Sequence, residues 1–449
     1  MGGLRLRFEK IVMKKHLILL IIATLSAGAL QAQSKHSPTS RFPTYEGRVM
    51  CGYQGWFRAP GDGANEGWGH YGFRNRHGEP VLHVDFWPEV AEYSNTYPTS
   101  LTNQDGTPAR VFSSLDPGTT DRHFSWMQQY GIDGVFVQRF FGPLRTSAGR
   151  QRSRVVLEHA LASSQKYGRA IAVMYDLSGL QASGEDCSAI IQDWKELVDE
   201  LKLTSQGTNQ TYLYHHGKPL VAIWGLGFPD RPYNIHDIGI ERLIDFLKHD
   251  PEYGGCAVML GVPTYFRDLD VDCLPDPYLH QVMGMADIIM PWTVQRFTPL
   301  LQAEPARYAA QVKADIAWCT ARHLDYAPCI YPGFSWYNLG KIEFKGGPPL
   351  NQIPRQQGRF YWSQIAGAVQ SGGKMFYVAM FDEMDEGTAI FKCSNHPPAG
   401  VSLCNYEGLP TDHYLWLTGQ AGKLLRGEIP FSESIPMREA TAKATSSPP

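Results

Sequence analysis

Few residues of the chain are charged, and the positive and negative charges nearly balance. Charged residues make up 19% of its 449 residues, and the formal net charge is -3. A protein that binds a phosphate backbone needs a basic face, so this balance does not favour nucleic acid as a partner. Apolar residues make up 43%, which is enough for a large core and is not typical of a disordered chain.

Several short motifs of known chemistry are absent. Without a CxxC spacing the chain does not predict a thiolate zinc site, and it has no HExxH or His-x-His pattern. It has no Gly-x-Ser-x-Gly element for a serine nucleophile. Gly225-Leu-Gly227 is followed by Phe-Pro-Asp and not by a helix start, so no dinucleotide-binding fingerprint follows a strand. His215-His216, before a predicted strand, is interpreted as a surface pair. Metal and phosphate chemistry are therefore not predicted.

The N-terminal residues predict export. Lys14 and Lys15 precede the apolar run Leu17 to Leu30, and Ala32 offers a small residue at a cleavage point. A basic region followed by an apolar region of this length is typical of a signal peptide, here residues 1–32. The run is too short for a transmembrane helix, so we expect a periplasmic or extracellular protein without a membrane span.

Eight cysteines in an exported chain permit disulfide bonds. Cys393 and Cys404 flank a short loop that contains Pro and Gly, and this pair is the first prediction. Cys51 lies in an apolar strand and is expected to be a buried thiol. The secondary candidates are the pairs Cys256 with Cys273 and Cys319 with Cys329.

Apolar strands alternate with helical patterns eight times, which predicts a single (β/α)8 TIM barrel with long loops after its strands. A doubly wound open sheet is the rival fold, but it usually has fewer strands, and its phosphate-binding glycines are missing. The predicted boundaries are a linker over 33–45, the barrel over 46–428 and a flexible tail over 429–449. The predicted strands are 49–57, 134–140, 169–176, 218–224, 256–260, 287–292, 327–334 and 375–381.

The eighth strand ends in four carboxylates within five residues, Asp382, Glu383, Asp385 and Glu386. The carboxyl ends of barrel strands form the mouth where barrel enzymes carry their chemistry. Hydrolysis of a glycosidic bond needs one protonated and one ionised carboxyl group, and crowding separates their pKa values. Glu383 and Glu386 are three residues apart and are predicted to point to one side as the catalytic pair. Two alternatives are that Asp382 or Asp385 caps the following turn, and that the acids hold Ca²⁺ or Mg²⁺.

Aromatic rings, amides and acids dominate the other predicted strand ends, and Arg139 is the only obvious cation among them. Rings stack on sugar faces, while amides and acids bind hydroxyl groups, so a neutral, hydroxyl-rich ligand is predicted. Asp176 is either a helper acid or a buried partner of Arg139. The predicted substrate-binding residues are Tyr53, Trp56, Trp87, Gln138, Arg139, Asp176, Trp224, Trp292, Trp336, Asp382 and Asp385.

The segment Phe381-Asp-Glu-Met-Asp-Glu-Gly-Thr388 resembles the catalytic loop of glycoside hydrolase family 99, the endo-α-mannosidases. That loop runs aromatic, Asn, Glu, Trp, His, Glu, Gly, Thr, so both Glu positions and the Gly-Thr match. Gly52 to Phe57 resembles the aromatic first strand of the family, and Trp87-Pro88 also fits. The resemblance spans about residues 45–425 and extends to the looser set that contains family 71 α-glucanases. The chain differs in having Asp382, Met384 and Asp385 within the loop.

The resemblance implies a glycosidase that acts on α-linked glycans with retention of configuration and without a metal or other cofactor. Glu383 would deprotonate the sugar 2-hydroxyl, whose oxygen attacks the anomeric carbon to give a 1,2-anhydro sugar. Glu386 would be the general acid and then the general base. The expected partner is an oligosaccharide or polysaccharide, and the expected state is a monomer. The alternatives are a hydrolase of another glycan, of α-glucan, xylan or arabinan type, and a non-catalytic glycan-binding barrel.

Overall fold

Strands and helices alternate along the computed structural model, which describes residues 33–73, 81–182, 184–207, 210–343 and 347–438. Most of the strands that form the main sheet are buried on both faces and read as near-continuous apolar runs. In chain order the strands are β1 (Val49–Tyr53), β2 (Tyr97–Thr102), β3 (Pro108–Val111), β4 (Gly134–Phe140), β5 (Ala170–Asp176), β6 (Tyr214–His215), β7 (Lys218–Trp224), β8 (Ala257–Pro263), β9 (Ile288–Trp292), β10 (Asp325–Tyr326), β11 (Cys329–Ile330) and β12 (Phe376–Val378).

The helices between these strands cover the outside of the sheet. The helix that precedes β4 has Pro117 in its first turn, where a missing N–H costs nothing, and it ends at Gly131 in the left-handed conformation. The helices are α1 (Pro117–Tyr130), α2 (Phe141–Leu144), α3 (Ser147–Tyr167), α4 (Ser188–Glu200), α5 (Ile240–His249), α6 (Tyr278–Met283), α7 (Glu304–Thr320), α8 (Tyr337–Glu343), α9 (Arg359–Gln370) and α10 (His413–Leu425).

The main sheet closes on itself. Its order is β10-β9-β8-β7-β5-β4-β1-β12-β11, and all of these strands are parallel. β10 and β11 are two segments of one strand: β10 pairs with β9 and β11 with β12. Ala327, between them, donates its N–H to Ile289 at 2.9 Å, and Pro328 accepts from Tyr377 at 3.0 Å. The eight barrel strands are therefore joined in a ring, which confirms the predicted (β/α)8 barrel.

Position around this ring decides which side chains face one another. Counted from β1 as the first barrel strand, β7 is the fourth, β9 the sixth and β12 the eighth. In a ring of eight strands the fourth lies opposite the eighth. All the carboxyl ends open at one mouth, so loops that follow β7 lie across that mouth from the loop that follows β12.

Three local features differ from the sequence prediction. The region between β1 and α1 contains an antiparallel hairpin of β2 and β3, in which β2 alternates exposed and half-buried residues. The seventh barrel strand, predicted as one run over 327–334, is split and begins at Asp325. Between the fifth and sixth predicted strands, the sequence over 275–285 predicts a connector, and the structure has the short helix α6 there. These differences leave the order of barrel strands unchanged.

All eight cysteines are buried free thiols. The predicted pair is wrong because the two thiols contact different groups: Cys393 interacts with the Tyr406 hydroxyl and Cys404 with Ser335. Burial raises the pKa of Cys393 to about 12 and that of Cys404 to about 11. Cys51 is a buried thiol as predicted. The secondary pairs, Cys256 with Cys273 and Cys319 with Cys329, are likewise not formed.

The segments at both ends of the predicted barrel contact it. Within 33–45, the predicted linker, Tyr45 is fully buried and its hydroxyl donates to the Phe376 carbonyl at 2.7 Å. Near the other end, the Trp362 indole donates to the Ser432 carbonyl at 3.0 Å. The predicted signal peptide, 1–32, and the last residues of the predicted tail, 439–449, lie outside the described residues. Within the described ranges, no helix is long and apolar enough to cross a membrane.

The packing of α10 against α1 depends on a glycine. A Cβ at Gly419 would lie 1.8 Å from the carbonyl oxygen of Tyr130, the last residue of α1. One turn later, a Cβ at Gly422 would meet only the flexible end of Arg426, at 3.1 Å. The two helices can therefore approach as they do only if position 419 has no side chain.

We expect Gly419→Ala to lower the free energy of unfolding by about 2 kcal/mol or more, because the clash is with backbone and α10 must move away. Gly422→Ala is the matched control on the same helix, and we expect it to be neutral or stabilising by up to about 1 kcal/mol. Urea denaturation followed by circular dichroism measures both. Equal stabilities of the two variants would contradict the described packing.

Candidate active site

The loop after β12 is fastened to the end of β1 by Asp382. Its two carboxylate oxygens accept the backbone N–H groups of Gln54 at 2.8 Å and Gly55 at 2.9 Å. Asp382 is fully buried, and burial raises its pKa to about 7, although the two N–H donors oppose that shift. Asp382 therefore joins the first and eighth barrel strands and is not among the residues that line the cavity described below.

Glu383 follows directly and is held by two donors. The Gln54 amide nitrogen donates to one carboxylate oxygen at 2.9 Å, and the Thr388 hydroxyl donates to the other at 2.8 Å. The pKa of Glu383 is raised well above its usual range, first by burial and then by the negative charges of Glu386 and Asp385. The two hydrogen bonds act the other way because they favour the ionised carboxylate.

Glu386 lies one turn after Glu383 and is only half-buried. Its backbone carbonyl accepts the Ser335 N–H at 3.0 Å. The next residue, Gly387, has φ +64°, and a Cβ there would lie 2.9 Å from the Ser335 nitrogen. This turn requires glycine, and it brings the Glu386 carboxyl into the same cavity as Glu383.

The cavity occupies about 430 Å³ at the carboxyl ends of the barrel strands. Most of the predicted substrate-binding residues line it together with the two glutamates. They come from the ends of β1, β4, β5, β7, β9 and β12 and from the loop after β11. The predicted residues found there are Trp56, Gln138, Asp176, Trp224, Trp292, Trp336, Glu383 and Glu386.

Several buried polar atoms of this lining have no hydrogen-bond partner within the described part of the chain. They are the side-chain carbonyl oxygens of Gln54 and Gln138 and the indole nitrogens of Trp56 and Trp224. Buried polar groups in proteins are almost always paired, so unpaired donors and acceptors around one cavity indicate a polar ligand. Two acceptors and two donors between aromatic rings suit a ligand with hydroxyl groups on flat apolar faces.

Two predicted contact residues on the barrel strands, Arg139 and Tyr53, point away from the cavity. Arg139 is 1% exposed and forms a two-point ion pair with Asp193 of α4, in which Nε donates at 2.7 Å. Successive residues of a strand point to opposite faces, so Gln138 points into the barrel and Arg139 points out towards the helices. For the same reason Tyr53 points outward, and its hydroxyl pairs with His123 at 2.9 Å.

Trp87 is placed differently from the prediction, and the structure distinguishes the two alternatives for Asp176. Trp87 lines a separate cavity of about 650 Å³ that is formed with the β2–β3 hairpin. Asp176 does not pair with Arg139; it lines the active-site cavity, and one of its oxygens accepts the Ser178 N–H at 2.7 Å. Of the two readings of Asp176, the buried partner of Arg139 is therefore wrong.

Asp385 is buried and supports the cavity from behind. Its Oδ2 lies 3.0 Å from Nδ1 of His70, and the His70 ring stacks on Trp56 with centroids 3.9 Å apart and planes 6° apart. Asp385 thereby holds an imidazole against the ring that forms one cavity wall. The sequence separation of 315 positions between His70 and Asp385 explains why sequence reasoning missed this contact.

Sequence reasoning also missed two cations of the cavity, Arg231 and Arg296. They lie in the loops after β7 and β9, beyond the strand ends that the prediction considered. Their only sequence signal is their position a few residues after Trp224 and Trp292. The mouth therefore contains more positive charge than the sequence prediction allowed.

Among the described residues, the one group with spacing suitable for a metal ion is His215, His216 and Asp325. It lies at the amino ends of the strands, on the opposite side of the barrel from the cavity. His215 Nε2 is 2.9 Å from Asp325, while its Nδ1 is 3.5 Å from the Tyr45 N–H, so this ring is used as a hydrogen-bonding bridge. The pair predicted as a surface feature is thus one buried and one exposed histidine.

Asp176 predicts a pH-dependent stability. Burial raises its pKa from 3.8 to about 6. The folded state then binds the proton more tightly than the unfolded chain, so stability falls as pH rises from about 4 to about 6 and stays lower above that. We expect Asp176→Asn to remove this loss, with a gain of up to about 3 kcal/mol at pH 8 relative to pH 4.

Urea denaturation of both proteins across pH 4 to 8 measures this difference. Asp230→Asn is the matched control, because Asp230 is in the same cavity but 72% exposed, and we expect no pH-dependent gain from it. A constant difference between Asp176→Asn and the unmodified chain at every pH would contradict the buried position of this carboxyl group.

Comparison with known proteins identifies the fold. No protein-family model and no curated protein matches the chain. Two solved structures of a GH99 endo-α-mannosidase from Bacteroides thetaiotaomicron are similar to it, one of them in complex with bis-tris-propane. Their TM-scores are 0.59 and 0.58 at 16% and 15% sequence identity, and each alignment covers 86% of this chain and 99% of the other. The chain therefore has the (β/α)8 fold of these endo-α-mannosidase structures, as the resemblance of its acidic loop predicts.

Proposed function

We propose that the chain is an exported glycoside hydrolase that cleaves α-linked glycans with Glu383 and Glu386. The observation that supports this most is the pair of carboxyl groups, one buried and one half-buried, in a tryptophan-lined cavity at the carboxyl ends of the barrel strands. Two carboxyl groups in unequal surroundings provide the acid and the base that glycoside hydrolysis needs. The proposal of export depends on the sequence of residues 1–32.

The cavity lining supports a carbohydrate as the substrate. Trp224, Trp292 and Trp336 offer apolar ring surface, and the unpaired groups of Gln54 and Gln138 offer partners for hydroxyl groups. The similar solved structures are described as endo-α-mannosidases, and we extend an α-glycosidic linkage to this chain from them. The catalytic domain in this proposal is the barrel, 46–428, acting as a monomer.

Glu383 is proposed as the first base. As a carboxylate it takes the proton of the sugar 2-hydroxyl, and that oxygen attacks the anomeric carbon while the bond to the leaving oxygen breaks. A base with a raised pKa accepts such a proton more readily than an ordinary carboxylate does. The donors Gln54 and Thr388 fix both carboxylate oxygens, so the proton acceptor is held in one orientation.

Glu386 is proposed as the acid and then the second base. It donates its proton to the departing glycosidic oxygen, which leaves a 1,2-anhydro sugar in the cavity. Its carboxylate then takes a proton from water, whose oxygen opens the three-membered ring at the anomeric carbon, and Glu383 returns its proton to the sugar O2. The greater exposure of Glu386 supports this role, because water must reach it in the second step.

We expect Glu383→Gln and Glu386→Gln each to lower kcat by about 10²- to 10⁴-fold on an α-linked oligosaccharide. The two variants should differ on an aryl glycoside with a good leaving group, which needs little proton donation. Glu386→Gln should recover much of its first-step rate on that substrate, and Glu383→Gln should not. Release of reducing ends and of the aryl group measures the two substrates.

Glu241→Gln is the control for these variants, because Glu241 is exposed on α5 and is not among the residues that line the cavity. Unchanged turnover in both glutamine variants would refute the assignment of the pair. Binding of sugars without turnover by the unmodified chain would favour a glycan-binding barrel. Turnover of α-glucan, xylan or arabinan in place of α-mannan would keep the catalytic pair and replace the substrate.

The hydroxyl of Thr388 should set the acid limb of the pH profile. Glu383 is active as a base only when ionised, so kcat/KM should rise as pH rises through its raised pKa. Thr388→Val removes a donor that favours the ionised form, so we expect the acid limb to move to higher pH. Initial rates across pH 4 to 9 measure the shift.

Thr418→Val is the matched control, because Thr418 is also fully buried but donates to Tyr414 within α10. We expect it to leave the midpoint of the acid limb in place even if it lowers stability. A shift in the opposite direction for Thr388→Val would be inconsistent with Glu383 acting as the base.

A further inference from the structure

The active-site cavity has a cationic side. Arg231 and Arg296 line it together with the two glutamates. Arg231 follows β7, the fourth barrel strand, and Arg296 follows β9, the sixth. Because the fourth strand lies opposite the eighth, Arg231 lies across the mouth from the acidic loop, with Arg296 two strands further round. A ligand in contact with Glu383 and Glu386 therefore extends towards these two side chains.

Arg231 is held by aromatic rings more than by an acid. Its guanidinium carbon lies 5.2 Å from the centroid of Trp224 and 5.5 Å from that of Phe228. Its ion pair with Asp230 is 3.6 Å long, and Asp230 is 72% exposed, so this pair is weak. The buried Nε of Arg231 has no hydrogen-bond partner among the described residues. The guanidinium is therefore fixed in place but retains capacity for an anion.

Within the described part of the chain, one side-chain hydrogen bond orients Arg296, and it does not involve the two terminal guanidinium nitrogens. Its Nε donates to Asp272 at 2.6 Å. Asp272 is buried and also accepts the N–H groups of Thr264 at 3.2 Å and Tyr265 at 3.1 Å, so its position is fixed by backbone. The contact with Asp272 does not use the two terminal nitrogens, which are the pair that binds carboxylate or sulfate in a two-point geometry.

Arg296 is ion-paired through its Nε with the buried Asp272. Arg231, whose ion pair with the exposed Asp230 is weak, therefore contributes most of the positive charge that is not neutralised on this side. Glu383 and Glu386 belong to the opposite strand end, and Asp230 is mostly in solvent. Asp176 is the other acid that could serve as a counter-ion to Arg231. However, it is buried and accepts the Ser178 N–H, and the charge of Arg231 has only a small effect on its pKa. A neutral glycan would find enough partners in the unpaired amide and indole groups, so two guanidinium groups are more than it requires.

We propose that Arg231 and Arg296 bind an anionic substituent of the sugar, a carboxylate or a sulfate, so that the substrate is an acidic glycan. This rests on the proposed function, and it replaces the neutral ligand that the sequence predicts. That prediction counted Arg139 as the only cation of the mouth, whereas Arg139 is paired with Asp193 outside the barrel and two other arginines take its place in the cavity.

The first experiment measures binding to the full mature chain. The protein is titrated with acidic sugars and with their neutral parent sugars. The acidic sugars are D-galacturonate, D-glucuronate, D-mannuronate, glucose 6-sulfate and mannose 6-sulfate. Quenching of tryptophan fluorescence reports occupancy near Trp224 and Trp292. We expect at least one acidic sugar to bind about tenfold or more tightly than its neutral parent, with the advantage reduced at high salt. Comparison of the uronates with the sugar sulfates shows whether the site prefers a carboxylate or a sulfate.

Variants test whether the arginines are responsible. We expect Arg231→Gln to weaken binding of the acidic sugar about tenfold more than it weakens binding of the neutral parent, with partial recovery in Arg231→Lys, which keeps the charge but loses the fork. Arg322→Gln, at an exposed position after α7, is the control for loss of one positive charge. Arg231→Gln loses the weak pair with Asp230 and the contacts with the Trp224 and Phe228 rings, so a thermal melt checks its fold.

The second experiment measures turnover of paired polymers: polygalacturonate and its methyl ester, and α-mannan with and without chemical sulfation. Preference for a charged member, lost in Arg231→Gln, supports the inference. Turnover of neutral polymers that Arg231→Gln does not affect would overturn it and leave the glycosidase proposal standing. Acidic sugars that bind through Arg231 without hydrolysis of any polymer would keep the anion site and overturn the glycosidase. Equal binding of acidic and neutral sugars would overturn the inference directly.

Discussion

The contact between the Asp382 carboxylate and two backbone N–H groups at the end of β1 connects the ends of the barrel. It ties the last strand to the first at the mouth, beyond the paired residues of β1 and β12 and directly after the backbone hydrogen bond from Phe381 to Gly52. Gln54, whose N–H is one of the donors, uses its side chain to hold Glu383. The same cluster therefore strengthens the contact between the first and last barrel strands and fixes the reactive carboxyl group, so stability and geometry at this point cannot be varied separately.

The environment of the two glutamates follows from that closure. Glu383 directly follows the clamped residue and is pulled into the barrel, while Glu386 sits on a turn that Gly387 allows to pass close to Ser335. As a result, the Glu383 carboxyl group is buried and the Glu386 carboxyl group is partly exposed to solvent, although the two residues are only three positions apart in sequence. Asp385, between them, is turned away to His70. The four acids of one short segment thus serve as clamp, base, support and acid in the proposed mechanism.

The sequence predicted the barrel because buried parallel strands leave long apolar runs, and because acids directly after such a run are conspicuous. It did not predict which face of a strand each residue occupies. Gln138 and Arg139 are neighbours, and only the pairing of Arg139 with Asp193 shows that one points inward and the other outward. The loop residues Arg231 and Arg296, and the contact of His70 with Asp385, depend on chain paths that no local pattern encodes. The disulfide prediction failed because short spacing does not bring two thiols into bonding contact.

The position of Tyr45 determines on which side of the barrel the described chain begins, and so how the cavity would be oriented towards a polymer. Its hydroxyl is bonded at the start of β12, and the preceding residues run along the amino ends of the strands, where Ser37 bonds to Thr204 and Lys35 to Glu252. The described chain thus begins on the face away from the mouth. If the protein were attached to a surface or a fusion partner through this segment, its cavity would face away from the attachment point. A long polysaccharide could then reach the cavity without passing the attachment point.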